Sequence, residues 1–413
     1  MVIQMNRAKK KVVGIALITA AAVLGDSMLF IVLPLYYQDF GLTSLWQVGV
    51  LLSINRFIRL PINPLVGWFY SKFELRAGIF IAVVLAVCTT LSYGFAQHFL
   101  ILLGMRMLWG LAWSLLRLGG MLTVVEVSTK ENKGQLMGLY NGLWGIGGLF
   151  GMLVGGFLVD IWSLIGITIV FALINIAMLP TVYFLIPVNS KQRNEKKQRS
   201  FTKWFTQKTF LVYVTGATVG FTIFGLFAST LSTLVEKALN DHIQIAGMVI
   251  GAATIAGIMQ AVRWGWDPLL APFLGKVLDQ SKQADYLILV PLFGMSVFFL
   301  LFQTSPSIYL LIIFILIFQL FSTFMVTATD TLAAHAAVKN PVSVMTVYTV
   351  VLDLGAALGP LVSFLVIDWL GLSAVYMMAA IFMTVVGGCW ILYILRERRG
   401  KTKKLTRDGD NTI

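Results

Sequence analysis

Hydrophobic positions fill long, nearly unbroken runs along this chain, and polar positions gather in short breaks between them. The runs fall at about 12–38, 45–69, 77–96, 100–126, 135–160, 164–187, 209–235, 247–275, 284–304, 307–338, 343–368 and 372–395. Each is long enough to cross roughly 30 Å of hydrocarbon as a helix. The pattern predicts an all-α integral membrane protein with twelve transmembrane helices. The longest polar break inside the chain, Asn189 through Ser200, carries Lys191, Arg193, Lys196, Lys197 and Arg199 against a single acid, Glu195. It parts six spans from six. The expected organisation is a six-helix bundle over 1–188, a basic cytoplasmic linker over 189–208, and a second six-helix bundle over 209–413 that ends in a basic tail. Phe201, Trp204 and Phe205 around Lys203 suit either a short helix lying on the membrane surface or a solvated tether.

Composition narrows the class. Apolar residues make up 58% of the chain, Asp, Glu, Lys and Arg only 12%, and the mean hydropathy is +0.86. Such a chain has too little polar surface to cover itself in water. A net charge of +13 would suggest nucleic acid in a soluble domain, but here its placement decides. Of the 31 lysines and arginines, 25 fall in the N-tail, the linker, the C-tail and the loops that share their side, whereas Lys237 stands alone on the other. The positive-inside rule then puts both termini in the cytoplasm, with the protein in the cell membrane and no nucleic-acid partner. Contact with anionic lipid is the further use of these basic segments.

The start, Arg7-Ala-Lys9-Lys10-Lys11, mimics a secretory leader, yet the apolar run continues to Tyr37, so an uncleaved first span is expected. Cys88 and Cys389, far apart in apolar spans, read as buried small hydrophobes with no metal or disulfide spacing. His98, His242 and His335 are scattered, and no phosphate-cradling glycine loop is visible. No cofactor is expected.

The two halves align at one offset of 208 residues. Pro64 matches Pro272, Gly67 matches Gly275, and Ser71 meets Asp279; Tyr140, Gly147, Gly151 and Asp160 match Tyr348, Gly355, Gly359 and Asp368. One offset across separated segments argues for duplication, and parallel six-span repeats are a transporter architecture.

These residues resemble motifs of the major facilitator superfamily, in order and over essentially the whole chain. The loop motif after the second span appears as Gly67-Trp-Phe-Tyr-Ser71-Lys72-Phe-Glu74-Leu-Arg76, with Ser71 at the usual acid position, and again as Gly275-Lys-Val-Leu-Asp279. The fourth-span motif is Arg106-Met-Leu-Trp-Gly110. The fifth-span motif, Gly147-Gly-Leu-Phe-Gly151-Met152, lacks the Gly-Pro usual in exporters, which the eleventh span restores as Gly355-Ala-Ala-Leu-Gly359-Pro360. The resemblance implies two pseudo-symmetric six-helix bundles, with the second span beside the eleventh and the eighth beside the fifth.

Nine ionisable residues fall within the spans: Asp26, Arg56, Arg59, Arg106, Arg117, Arg263, Asp267, Asp330 and Asp353. Each would cost roughly 2.5–3.5 kcal/mol facing lipid at the bilayer centre. They are expected to face a wet cavity or one another, and ion pairs that only fix packing are the alternative for any one of them. Arg59, Arg117, Asp267, Asp330 and Asp353 lie about 12–15 Å from the cytoplasmic ends of their spans and read as a cytoplasmic gate. On the arrangement the resemblance implies, Arg59 would meet Asp353.

Asp26, Arg56 and Arg263 lie deeper, with Arg106 within reach. Burial and a neighbouring arginine act in opposite directions on a carboxylate's proton affinity. Asp26 is therefore the candidate proton carrier with Arg106 as its modulator, against a permanent salt bridge as the alternative. Arg56 and Arg263 suit an acidic group. Trp109 and Trp113, one turn apart, suit an organic, partly apolar molecule, unless they are helix packing. The expected function is proton-coupled export of a small organic compound, anionic or amphiphilic, by alternating access. Uptake by symport is the alternative, and a membrane enzyme or sensor is a different class. Substrate, protons and the lipid bilayer are the expected partners, with no obligate protein partner.

Overall fold

The computed structural model describes residues 2–128, 133–186, 206–239, 243–245, 248–281, 284–304, 307–336 and 341–409. Nearly all of the expected linker over 189–208 lies outside them, as does the Asp279 side chain. Among the described residues the first half holds α1 (Val2–Leu35), α2 (Leu45–Phe57), α3 (Arg59–Lys72), α4 (Leu75–Phe95), α5 (Phe99–Val127), α6 (Lys133–Ile161) and α7 (Leu164–Leu185). The second holds α8 (Gln207–Val219), a π-helical segment (Gly220–Phe227), α9 (Ala228–Ala238), a hairpin of β1 (Ile243–Ile245) and β2 (Met248–Ile250), and α10 (Ala252–Gln280). There follow α11 (Ala284–Leu287), α12 (Leu289–Leu301), a 3-10 turn, α13 (Ile308–Ala336), α14 (Pro341–Leu370) and α15 (Leu372–Gly409).

Ten helices among the described residues are long and apolar enough to cross a membrane, and the α2–α3 pair and α10 occupy the two other expected spans. The second span breaks at Ile58, because Pro61 has no N–H to offer the Phe57 carbonyl. The eighth starts at Ala252, later than the expected 247, because Ile243 pairs with Ile250 and Ile245 with Met248 in the antiparallel hairpin. Gly371, at φ +81°, makes the left-handed turn that joins α14 to α15.

By contact the chain forms two compact units. The first is Met1–Lys197 with Gly225–Trp266 and Ala357–Trp369; the second is Gln198–Phe224 with Asp267–Ala356 and Leu370–Ile413. The first unit thus contains the whole expected N-terminal bundle and two segments of the C-terminal one.

In the first unit α1 is apolar on nearly all sides and is buried accordingly. Val12, Ile15, Ile18 and Ala22 pack in one core with Ile79, Ala82 and Val83 of α4, Leu115 and Leu116 of α5, and Tyr140 of α6. Gly147 and Gly151 let α6 approach the α1 backbone at Ala20 and Leu24, where any Cβ would collide. In the second unit Phe299, Phe302, Phe318 and Tyr376 form an aromatic cluster, with Phe299 and Phe318 ring centres 4.9 Å apart. Trp390 Nε1 donates to Thr215 Oγ1 at 2.9 Å, and Lys208 pairs with Asp285 at 2.8 Å.

The outward surface is apolar: Phe184, Tyr309, Trp369 and Leu370 are 73–86% exposed. A soluble protein does not leave such a surface bare, whereas lipid covers it at no hydrophobic cost. Cys88 and Cys389 lie on this surface, exposed rather than buried. Apolar surroundings for a thiol within a span come as readily from lipid as from a core, which is why the sequence did not separate the two.

Candidate functional site

A buried ion pair of the first unit is built around Asp26. Two close helix approaches bring its parts together. Gly151 seats α6 against α1 at Leu24 and Ser27. Gly110 seats α5 against α2, where a Cβ would stand 2.6 Å from the Asn55 carbonyl oxygen. Arg106, one turn before Gly110, thereby meets both α1 and α2. Its Nη1 donates to the Asp26 carboxylate, and its Nε donates to the Leu51 carbonyl at 2.8 Å. The Tyr93 hydroxyl lies 3.5 Å from Nη1, and Asn55 Nδ2 donates to Asp26 Oδ1 at 3.4 Å. The arginine side chain is 1% exposed and the aspartate 16%. Arg106 Nη2 and Asn55 Oδ1 are buried with no hydrogen-bond partner among the described residues. Asn55 and Tyr93 were not singled out in the sequence.

The aromatic candidates form a ladder on the same unit. Trp109 and Trp113 have ring centres 6.4 Å apart, and Trp113 stands edge-on to Trp144 at 5.2 Å. The Arg117 guanidinium lies over the Trp144 ring, and its Nη1 donates to Asn141 Oδ1 at 3.0 Å. Trp144 and Asn141 also escaped the sequence reading. Trp109 is 2% exposed, while Trp113 is only half-buried. Arg56 lies over the Phe30 ring at 5.8 Å, and Arg263 is 5% exposed. A groove of about 350 Å³ between α1, α6 and α7 is lined by Leu17, Ala20, Phe150 and Ile174 among other apolar residues; of the candidate residues it meets the motif glycine Gly147, and no charged or tryptophan candidate lines it.

The five expected gate residues divide between the units. Arg59 and Arg117 belong to the first, and Asp267, Asp330 and Asp353 to the second. Within the second unit, Thr323 Oγ1 donates to Asp267 at 2.5 Å and the Tyr348 hydroxyl donates to Asp330 at 2.5 Å. The pairing of Arg59 with Asp353 remains a sequence-based expectation.

The family-motif positions have distinct settings. Arg76 donates to the Ile186 carbonyl at 3.1 Å and stacks on Tyr183, tying the start of α4 to the end of α7. Gly355 lies against the Ala217 carbonyl, Gly275 faces Thr327, and Gly67 has open space where a Cβ would point. Gly359 is buried, and the neighbouring Pro360 carbonyl is approached by Gly49. No group of three or more His, Cys, Asp or Glu among the described residues is placed to hold a metal ion.

Comparison with known proteins agrees in one direction. The family model of the Major Facilitator Superfamily matches residues 15–266 and 268–412. An uncharacterized MFS-type transporter of Methanocaldococcus jannaschii is 24% identical over 96% of this chain and 100% of its own length. The multidrug resistance protein MdtG of Proteus mirabilis is 24% identical over 69% of this chain and 70% of its own. The quinolone resistance protein NorA of Staphylococcus aureus is 22% identical over 57% of this chain and 60% of its own. Among solved structures, a POT family transporter in complex with 5-aminolevulinic acid superposes with a TM-score of 0.74 at 12% identity, covering 94% of this chain and 96% of that one. A bacterial homolog of the human lysosomal transporter Spinster gives 0.73 at 14% identity over the same shares.

Proposed function

The chain belongs to the Major Facilitator Superfamily, and from that premise we propose that this multi-pass membrane transporter exports a small organic compound in exchange for protons. It does so across the cell membrane, with both termini in the cytoplasm. Asp26 carries the proton, and Arg106 holds the carboxylate in place and sets how readily it is released. The compound is amphiphilic. Its acidic group is held by Arg56 and Arg263, and its apolar body by Trp109 and Trp113.

The observation that carries this reading is the buried Asp26–Arg106 pair, with the Asn55 amide against the carboxylate and the Tyr93 hydroxyl against the guanidinium. The carboxylate keeps 16% exposure while its guanidinium partner keeps 1%, so a proton can reach the acid without the arginine leaving its place. Exchange follows if the substrate offers an N–H or O–H to ionised Asp26, because a protonated carboxyl no longer accepts there in the same way. Proton and substrate then exclude one another, and each leaves the site as the other arrives. The multidrug and quinolone resistance proteins among the relatives support the export direction.

Oriented vesicles under an imposed proton gradient, offered a panel of amphiphilic acids, test the reading. Substrate moving against the proton flux supports exchange. Substrate moving with it establishes uptake by symport and ends the export reading.

A further inference from the structure

Two junctions inside the first unit are copies of one another at the 208-residue offset of the repeat. In one, Asp160 at the end of α6 accepts from the first N–H groups of α10. Its Oδ2 receives Thr254 N at 3.0 Å, Gly251 N at 3.1 Å and Thr254 Oγ1 at 2.5 Å. In the other, Asp368 near the end of α14 accepts from the first N–H groups of α2, with Trp46 N at 2.8 Å and Leu45 N at 3.3 Å. Asp160 and Asp368 are repeat partners, and so are Thr254 and Trp46.

The likeness continues about one turn further into α10 and α2. A Cβ on Gly257 would stand 2.7 Å from the Met152 carbonyl oxygen, and one on Gly49 would stand 2.7 Å from the Pro360 carbonyl oxygen. Those four residues also pair at the same offset. Each junction therefore consists of a carboxylate on a helix N-terminus above a glycine that lets two backbones touch.

The chemistry suits a contact that must open and close. The first N–H groups of a helix have no partner within it and carry partial positive charge. A carboxylate satisfies them when the junction is shut, and water does so when it is open, so neither state strands a donor. Both junctions join a helix of one repeat to a helix of the other, α6 to α10 and α14 to α2. Both lie at the end of the unit where α1 finishes, which the proposed orientation places outside. The copies are not equal. Asp160 also accepts from the Tyr36 hydroxyl at 2.8 Å, whereas Asp368 is exposed.

We propose that Asp160 and Asp368 are paired positioning residues for transport: twin latches that hold the external side shut and release together when the site opens outward. This rests on the alternating-access reading given above. The test uses single reporter cysteines at two fully buried positions, Ala253→Cys in α10 and Val48→Cys in α2, with Cys88 and Cys389 replaced by Ser. A membrane-impermeant maleimide is added from outside to the full-length protein in proteoliposomes.

Asp160→Ala with Asp368→Ala should raise labelling at both reporters at least tenfold. Asp160→Ala alone should raise it at Val48→Cys as well as at Ala253→Cys, because the latches release together, and by more than Asp368→Ala does. Labelling confined to the junction that was cut would mean local fraying and overturns the proposal, as does a double variant labelled at the parent rate. Should the alanine pair not yield monodisperse protein, Asp160→Asn with Asp368→Asn keeps the shape and should give the same pattern at threefold or more; an unchanged rate there is equally fatal. The parent itself separates the two readings. If its labelling ignores an imposed proton gradient, alternating access is wrong, yet faster labelling at both reporters in the variants still supports the seal.

Discussion

Replacing Asp26 by Asn removes one charge and almost no volume. The amide oxygen still accepts from Arg106 Nη1, but the guanidinium, 1% exposed, loses its counter-charge. Breaking a buried ion pair from one side costs about 3–5 kcal/mol. The surviving hydrogen bond to a charged group offsets about 1.5–3 kcal/mol of that. The net loss is about 2 kcal/mol, visible as a lower unfolding midpoint in detergent and not as failure to fold.

The effect on coupling is larger in kind. At one proton per substrate molecule, a gradient of one pH unit supplies about 1.4 kcal/mol and supports about tenfold accumulation. The parent protein in proteoliposomes should approach that ratio. Asp26→Asn should equilibrate substrate at a ratio near one, while exchange of labelled for unlabelled substrate at equal pH continues at a comparable rate. Tenfold accumulation by the Asn variant would refute the assignment, since no proton would then pass through position 26. Loss of exchange together with accumulation, in protein that remains monodisperse, would refute it too and make the pair a structural brace.

Gly110→Leu should force α2 from α5 at Asn55 and Ile58, lowering stability by about 1–3 kcal/mol and abolishing accumulation. Gly104→Leu on the same helix, where a Cβ meets nothing within 4 Å, should change neither, and equal damage from both would show that helix propensity is being measured. Trp113→Ala should weaken binding of an aromatic substrate about threefold to tenfold by removing one ring contact; an unchanged Kd with a lower unfolding midpoint would mark the tryptophan ladder as packing alone. Trp390→Phe removes the buried bond to Thr215, whose hydroxyl still bonds the Leu211 carbonyl. It should cost about 1 kcal/mol in thermal unfolding and leave the pH dependence of transport untouched.

The spans were legible because a bilayer demands one thing of a helix, an apolar run of sufficient length, and the chain states it twelve times. Asp26 and Arg106 were legible for the complementary reason, as charges where charge is expensive. Asn55 and Tyr93 carry no charge, so nothing in the sequence set them apart from dozens of other polar positions; only the approach of α2 permitted by Gly110 gives them a role. Met248–Ile250 falls inside the apolar run that starts at 247 and reads as the first turn of its helix, whereas Ile243–Ile245, with Gln244 between two isoleucines, is too short to stand apart from a loop. Asp160 and Asp368 were recognised as repeat partners, but an acid at a span end is ordinary until the N–H groups it accepts from are seen on another helix. The expected gate residues pose the opposite difficulty. Depth along a span can be counted from sequence, whereas the partner across a bundle cannot.

The π-helical stretch Gly220–Phe227 has a consequence for how this chain can tolerate insertion and deletion. A widened turn of this kind is what one surplus residue leaves behind when the helix on either side refuses to rotate. Removing a single residue, Thr222 for instance, would let the tighter ladder run through and leave everything after it facing as before. Leu231, Leu234 and Val235, at most 3% exposed, would keep the neighbours that bury them. A further inserted residue, with no second widened turn to absorb it, would swing that face by about 100° around the axis. Length variation among descendants of this protein between 220 and 235 should therefore take the form of one residue lost and not one gained, and should otherwise collect in the stretch that separates the two repeats.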